Sequence, residues 1–216
     1  MSMKPKAEEF VGLLRSARVI PVLTIERVED AVPLARALVA GGVRVLEMTL
    51  RTPAAIDAAK AMIAEVPDAI VGIGTVLNAA DLARARALGA RFVVSPGATP
   101  ELLAAAAAGD LPFMPGIATA SELMQALAHG FNLVKFFPAE QSGGIGALRA
   151  LAGPFPQARF CPTGGIGEGN AGAWLAESNV VVVGGSWLCP AADIRSGNWS
   201  GITAICNRTM KTLERK

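Results

Sequence analysis

Short β-branched apolar runs begin near Val19, Val43, Ala69, Phe92, Pro112, Leu133, Ala158 and Val180. Between them lie alanine- and leucine-rich segments whose apolar positions recur at helical spacing. Examples are Val28 to Ala40, Pro53 to Glu65, Ala79 to Leu88, Pro100 to Ala108 and Ala120 to His129. Glycine follows several of them, at Gly41, Gly89, Gly109 and Gly130, as expected of C-terminal stops. Asp81, Ser121 and Glu122 stand near helix starts, where the dipole favours them. Strands alternating with helices predict a parallel sheet. Eight such units in about 200 residues predict an α/β fold of the compact (β/α)8, or TIM-barrel, kind. Residues 5–16 read as an extra N-terminal helix. A doubly wound open sheet is the alternative, but it calls for fewer strands and a glycine-rich turn after the first. Here the first strand runs into Thr24-Ile25-Glu26-Arg27, without glycine. No linker or low-complexity stretch divides the chain, so residues 1–216 read as a single barrel domain.

Two charges break this apolar pattern. Lys135 interrupts the strand-like run Leu133-Val134-Lys135-Phe136-Phe137, which Pro138 stops. A buried lysine loses water, which is costly. It is therefore either paired with a carboxylate or kept partly neutral by desolvation. A neutral amine attacks carbonyls, so Lys135 is a Schiff-base candidate. A structural ion pair is the competing reading, since such pairs also bury lysines. Glu47 lies in the second strand, where alternation puts Val43, Val45, Glu47 and Thr49 on one face. Even-numbered barrel strands share interior layers, so strands two and six can bring Glu47 and Lys135 together. Both lie toward the C-terminal strand ends, the face that carries barrel active sites.

Composition narrows the chemistry further. The chain is 52% hydrophobic with a formal net charge of +2 and no basic cluster, which gives nucleic acid no footing. Cys161, Cys189 and Cys206 are widely spaced and form no zinc pattern, which suits a reduced, cytoplasmic protein. Met1 to Glu9 is polar, with no apolar signal core, and no run is long enough to span a bilayer. His129 is the one histidine, placed before Gly130 at a helix end where a cation suits the dipole. One histidine speaks against a His-rich metal site and against a Ser-His-Asp triad.

Polar and glycine residues gather at the same strand ends. Arg51 follows strand two and can hold a carboxylate through forked hydrogen bonds, with Thr75 assisting from the end of strand three. Strand four ends Val94-Ser95-Pro96-Gly97. Strand seven ends Thr163-Gly164-Gly165 and strand eight Gly184-Gly185-Ser186. Loops after strands seven and eight often make a barrel's phosphate site. Glycine lets backbone N–H groups approach the oxygens, so Gly164, Gly165, Gly185 and Ser186 are the phosphate candidates.

Six motifs carry a family resemblance: Glu47-Met48-Thr49-Leu50-Arg51-Thr52, Gly72-Ile73-Gly74-Thr75-Val76-Leu77, Ser95-Pro96-Gly97, Lys135-Phe136-Phe137-Pro138-Ala139-Glu140, Arg159-Phe160-Cys161-Pro162-Thr163-Gly164-Gly165-Ile166 and Gly184-Gly185-Ser186-Trp187-Leu188. In their order they resemble 2-keto-3-deoxy-6-phosphogluconate aldolases, from about Val19 to Pro190. The resemblance implies a class I aldolase of the Entner-Doudoroff pathway, without metal or other cofactor, on a homotrimeric barrel. Its substrate would be a phosphorylated 2-keto sugar acid and one product pyruvate. The resemblance places the Schiff-base lysine at Lys135 and the proton-transfer carboxylate at Glu47. It places the pyruvate carboxylate near Arg51 and Thr75, with Pro96 and Phe137 lining the pocket, and the phosphate near Gly164, Gly165 and Ser186. Thr163 stands where the relative acting on the galactonate epimer has an apolar residue, which favours the gluconate substrate. Cleavage of 4-hydroxy-2-oxoglutarate is expected as a side activity. The alternatives are the galactonate aldolase and a sugar-phosphate isomerase or binding barrel with no covalent step.

Overall fold

The structure, a computed structural model, describes residues 4–214. The strands are β1 (Val19–Leu23), β2 (Val45–Thr49), β3 (Ile70–Gly74), β4 (Val93–Val94), β5 (Phe113–Met114), β6 (Gly116–Ile117), β7 (Leu133–Phe136), β8 (Arg159–Pro162) and β9 (Val183–Gly185). All the strand pairs are parallel, in the orders β5-β4-β3-β2-β1-β9 and β6-β7-β8. Two parallel bridges, Phe160 to Val180 and Thr163 to Gly184, join β8 to the β9 segment. Pro115 separates β5 from β6 in one stave, and its carbonyl still accepts the Lys135 N–H at 2.8 Å. Among the described residues, nine strands thus make the eight staves of a closed barrel. Proline has no N–H to give a ladder. The break at Pro115 is therefore the local departure from the run that begins near Pro112.

The expected helices form, with ends displaced by a few residues. They are α1 (Lys4–Ala17), α2 (Ala31–Ala40), α3 (Ala55–Glu65), α4 (Ala79–Ala87), α5 (Pro100–Ala107), α6 (Ala120–Ala128), α7 (Gly144–Ala152), α8 (Ala171–Leu175), α9 (Ala191–Ser196) and α10 (Trp199–Glu214). The first turn expected of α2 is instead a 3-10 turn, Val28–Asp30, where Arg27 clamps Asp30 through two hydrogen bonds of 2.9 and 2.7 Å. Thr119 and Glu122 form a reciprocal capping box at the start of α6. His129 ends α6 with its Nδ1 2.9 Å from the Gln125 carbonyl oxygen, as its helix-end position suggested. Gly89 and Gly130 take positive φ after their helices, whereas Gly41 and Gly109 do not. Gly41 is needed for room instead: a Cβ there would overlap Cys206 on α10.

Two layers of core follow from this wrap. Between strands and helices, Leu23, Leu46, Met48 and Ile73 pack against Leu34, Leu38, Ala58 and Met62. Inside the barrel, Ile20, Val45, Phe92, Val94, Met114, Leu133 and Cys161 form a second cluster. Phe10, Val11 and Leu14 of α1 belong to that inner cluster, so α1 closes one mouth of the barrel. Each such side chain contributes about 1.5–3 kcal/mol by leaving water. The middle of the barrel is therefore dry, and that matters for the two charges placed there.

Candidate active site

Glu47 is the third residue of β2 and Lys135 the third of β7, the second and sixth staves. Their side chains meet in the barrel interior, with Lys135 Nζ 3.1 Å from Glu47 Oε1. The side chains are 3% and 2% exposed, so neither charge is solvated by bulk water. Three neighbours make room for the pair and define its surroundings. A Cβ at Gly74 would overlap the Glu47 carboxylate, so β3 offers no side chain at that level. Phe137 turns its ring toward the ammonium, 5.4 Å from Nζ to the centroid, a cation–π distance. Cys161 lies in the same interior on β8, its thiol pushed up to about 12 by burial, with the Lys135 charge opposing. Burial thus holds that thiol in its protonated form, and Glu47 is the side chain that hydrogen-bonds the lysine.

Arg51 leaves the end of β2 into solvent, and its Nε donates to Thr75 Oγ1 at 3.3 Å. Thr75 follows β3 at φ +60°, in the left-handed region. A β-branched residue there is strained, and strain of this kind gathers at functional sites. Thr49, below Arg51 on β2, donates its hydroxyl to the Leu23 carbonyl at 2.7 Å and ties β2 to β1.

A cleft of about 410 Å³ opens at these strand ends. Arg51, Phe137, Thr163, Gly164, Gly165, Gly185 and Ser186 line it, which brings together seven of the expected site residues. Glu47, Lys135 and Thr75 do not line it: the pair is sunk in the barrel interior, and Thr75 meets the cleft through Arg51. Pro96 stands apart, packed where a Cβ on Gly116 would lie, and braces the broken stave. Val22, Thr24, Ile166 and Cys189 also line the cleft, and none of them was assigned to the site from the chain. They are apolar or small residues, indistinguishable in sequence from core. Other depressions lie on the outside, between α4 and α5 and along α10, far from any of this chemistry.

The glycine pairs have reasons of their own. Gly164 and Gly165 take φ +101° and +75°, and a Cβ on Gly165 would overlap Glu140. Gly184 leaves room for Thr163, and Gly185 for the Trp187 indole. Among the described residues, the N–H groups of Gly164, Gly165, Ile166 and Ser186 find no hydrogen-bond acceptor in the protein. The loops after staves seven and eight thus offer donors to an anion. Among the described residues no group of three His, Cys, Asp or Glu side chains could hold a metal ion, and no helix is long and apolar enough to cross a membrane.

Residues 11–205 match the family model for KDPG and KHG aldolases. The KHG/KDPG aldolase of Escherichia coli K12 is 51% identical over 200 residues, which cover 93% of this chain and 94% of that one. Among solved structures, the Legionella pneumophila KDPG aldolase, with pyruvate captured at low pH as a covalent carbinolamine, is 49% identical. It has a TM-score of 0.89 and covers 92% of this chain and 97% of its own. The 2-keto-3-deoxy-6-phosphogluconate aldolase of Zymomonas mobilis ZM4 with 3-phosphoglycerate is 46% identical with a TM-score of 0.88, covering 94% and 95%.

Proposed function

The chain belongs to the KDPG and KHG aldolase family, and from that premise we propose how its residues share the reaction. It is a lyase that cleaves 2-keto-3-deoxy-6-phosphogluconate to pyruvate and glyceraldehyde 3-phosphate through a covalent imine. In our reading Lys135 is the nucleophile. A proton passed from Nζ to Glu47 across their 3.1 Å contact frees the lone pair. The amine adds to the C2 ketone to give a carbinolamine; Glu47 then gives its proton to the departing hydroxyl, so that loss of water leaves the protonated imine and a carboxylate again. That cation draws in the C3–C4 bonding pair as Glu47, directly or through water, takes the C4 hydroxyl proton. Glyceraldehyde 3-phosphate leaves, and an enamine remains. Glu47 returns the proton to the enamine carbon, and hydrolysis releases pyruvate and the free lysine. The imine is the electron sink, so this chemistry calls on no cofactor. Arg51, positioned by Thr75, takes the pyruvate carboxylate, and Phe137 covers the imine. The loops at Gly164, Gly165 and Ser186 take the phosphate, with Thr163 beside them favouring the gluconate epimer.

The observation that carries this reading is the buried Lys135–Glu47 pair on opposite staves. A merely structural pair fits less well, because replacing it by apolar residues would usually cost nothing or stabilise. Borohydride reduction with pyruvate, followed by peptide mapping, tests it. The adduct is expected on Lys135; an adduct elsewhere, or none, removes the assignment. Cleavage of 4-hydroxy-2-oxoglutarate, a homotrimeric assembly, a single domain over residues 1–216 and a cytoplasmic setting complete the proposal. Light scattering at three chain masses is the check on the assembly.

A further inference from the structure

Three successive carbonyls in the loop after β8 are all held by hydrogen bonds. The Thr163 carbonyl accepts the Ala139 N–H at 2.8 Å, and the Gly164 carbonyl accepts the Glu140 N–H at 3.2 Å. The Gly165 carbonyl accepts Asn170 Nδ2 at 3.0 Å. In a trans peptide the N–H points opposite to the C=O of the same plane. Holding these three oxygens therefore turns the N–H groups of Gly164, Gly165 and Ile166 away from those partners, and all three residues line the cleft.

The third carbonyl depends on side chains. Asn170 is itself held from both ends: its Oδ1 accepts the Gly167 N–H at 2.8 Å, and its Nδ2 also donates to Glu140 Oε1 at 3.1 Å. The same Oε1 accepts Trp174 Nε1 at 2.9 Å, which fixes the carboxylate against α8. The Glu140 side chain in turn lies across Gly165, filling the place a Cβ would take. A carboxylate near a phosphate site is otherwise unfavourable, since like charges repel. From this geometry we infer that Glu140 and Asn170 are positioning residues for the substrate phosphate. They set the Gly165–Ile166 peptide so that three consecutive amides converge on one anion. This inference rests on the proposal that the loop takes the phosphate.

Glu140→Ala gives opposite answers for the two roles the carboxylate could have. As a source of field alone, its removal lowers KM for the phosphorylated substrate. As the anchor of Asn170, its removal raises that KM about tenfold or more, the loss of one hydrogen bond to a charged group. We expect the rise, with the half-saturation for pyruvate in borohydride trapping within about twofold of wild type, because pyruvate has no group to reach the loop. Glu140→Gln keeps the accepting oxygen and is expected to restore most of the KM. Asn170→Ala should match Glu140→Ala. An unchanged or lower KM in Glu140→Ala, or an equal loss for pyruvate, overturns the inference. Ser186→Asp separates the premise from the inference, since it puts a negative charge at the other loop. If Ser186→Asp leaves the phosphorylated substrate untouched, the phosphate is bound elsewhere and both ideas fall. If it raises KM while Glu140→Ala and Asn170→Ala do not, only the positioning role falls.

Discussion

Lys135 and Glu47 meet 3.1 Å apart on strands whose residues are buried throughout, whereas Gly164, Gly165 and Ser186 sit on loops partly or fully open to solvent. The proposed imine half of the site is made of side chains; the proposed phosphate half is made of backbone. The difference follows from the work asked of each. Imine chemistry needs one amine whose proton is managed by one carboxylate in a dry place, and a packed barrel interior supplies that rigidity. A phosphate presents several oxygens to several donors, and converging amides on a glycine loop supply those without burying a second cation. The two halves should therefore fail differently when damaged.

The largest expected effect tests the side-chain half. Lys135→Arg keeps a cation beside Glu47 but has no nucleophilic amine, so turnover and borohydride trapping should both vanish. Residual trapping on another lysine would move the imine half elsewhere. Glu47→Gln comes next. It keeps shape and removes the base, so cleavage and exchange of pyruvate methyl protons with solvent should fall by about 10²-fold or more while imine trapping survives. Exchange in deuterated water at the wild-type rate would leave Glu47 as a structural partner only.

This contrast also decides how much of the molecule could be read in the chain. A buried charge is an anomaly in an apolar run, so Lys135 and Glu47 announced themselves, and the eight-stave count then placed them on facing strands. The stave count survived even where a strand broke at Pro115, because the flanking residues still alternate with helices. Thr75 was legible as a polar residue at a strand end, but its positive φ was not, since nothing in the residue type demands it. The roles of the glycines at the end of β9 were legible only in part. Gly185 reads like a phosphate glycine, yet the indole of Trp187 occupies the space it leaves. Glu140 and Asn170 lie 30 positions apart, and only the folded loop brings them together. Side-chain chemistry leaves a mark on sequence because it is costly; backbone chemistry does not, because every residue carries the same amide.

Gly165→Val sharpens the comparison at the loop. Its Cβ runs into Glu140 and a φ of +75° is strained for a β-branched residue, so the whole turn must shift. KM for the phosphorylated substrate should rise about ten- to a hundredfold, as one or two charge-assisted hydrogen bonds are lost. Proton exchange on pyruvate should hold near the wild-type rate. If exchange and cleavage drop by the same factor, the halves are not independent and the loop serves the barrel as a whole.

The smallest effect lies where the two halves adjoin the solvent. Thr75 holds Arg51 at 3.3 Å from a left-handed backbone conformation. That conformation costs a non-glycine residue about 1–2 kcal/mol. Glycine would relieve it but lose about 0.5–1 kcal/mol through its freer unfolded chain. Thr75→Gly should therefore leave Tm level or raise it by about 2–4 °C for a chain of this size. The same change removes the hydroxyl that orients Arg51, so half-saturation by pyruvate should rise about two- to tenfold, the span of one ordinary hydrogen bond. A stability gain with a binding loss would mean that the strain is kept for the carboxylate subsite. A fall in Tm of more than about 4 °C with pyruvate binding intact would mean the reverse: Thr75 would be holding the β3 end together, and Arg51 would find its ligand unaided.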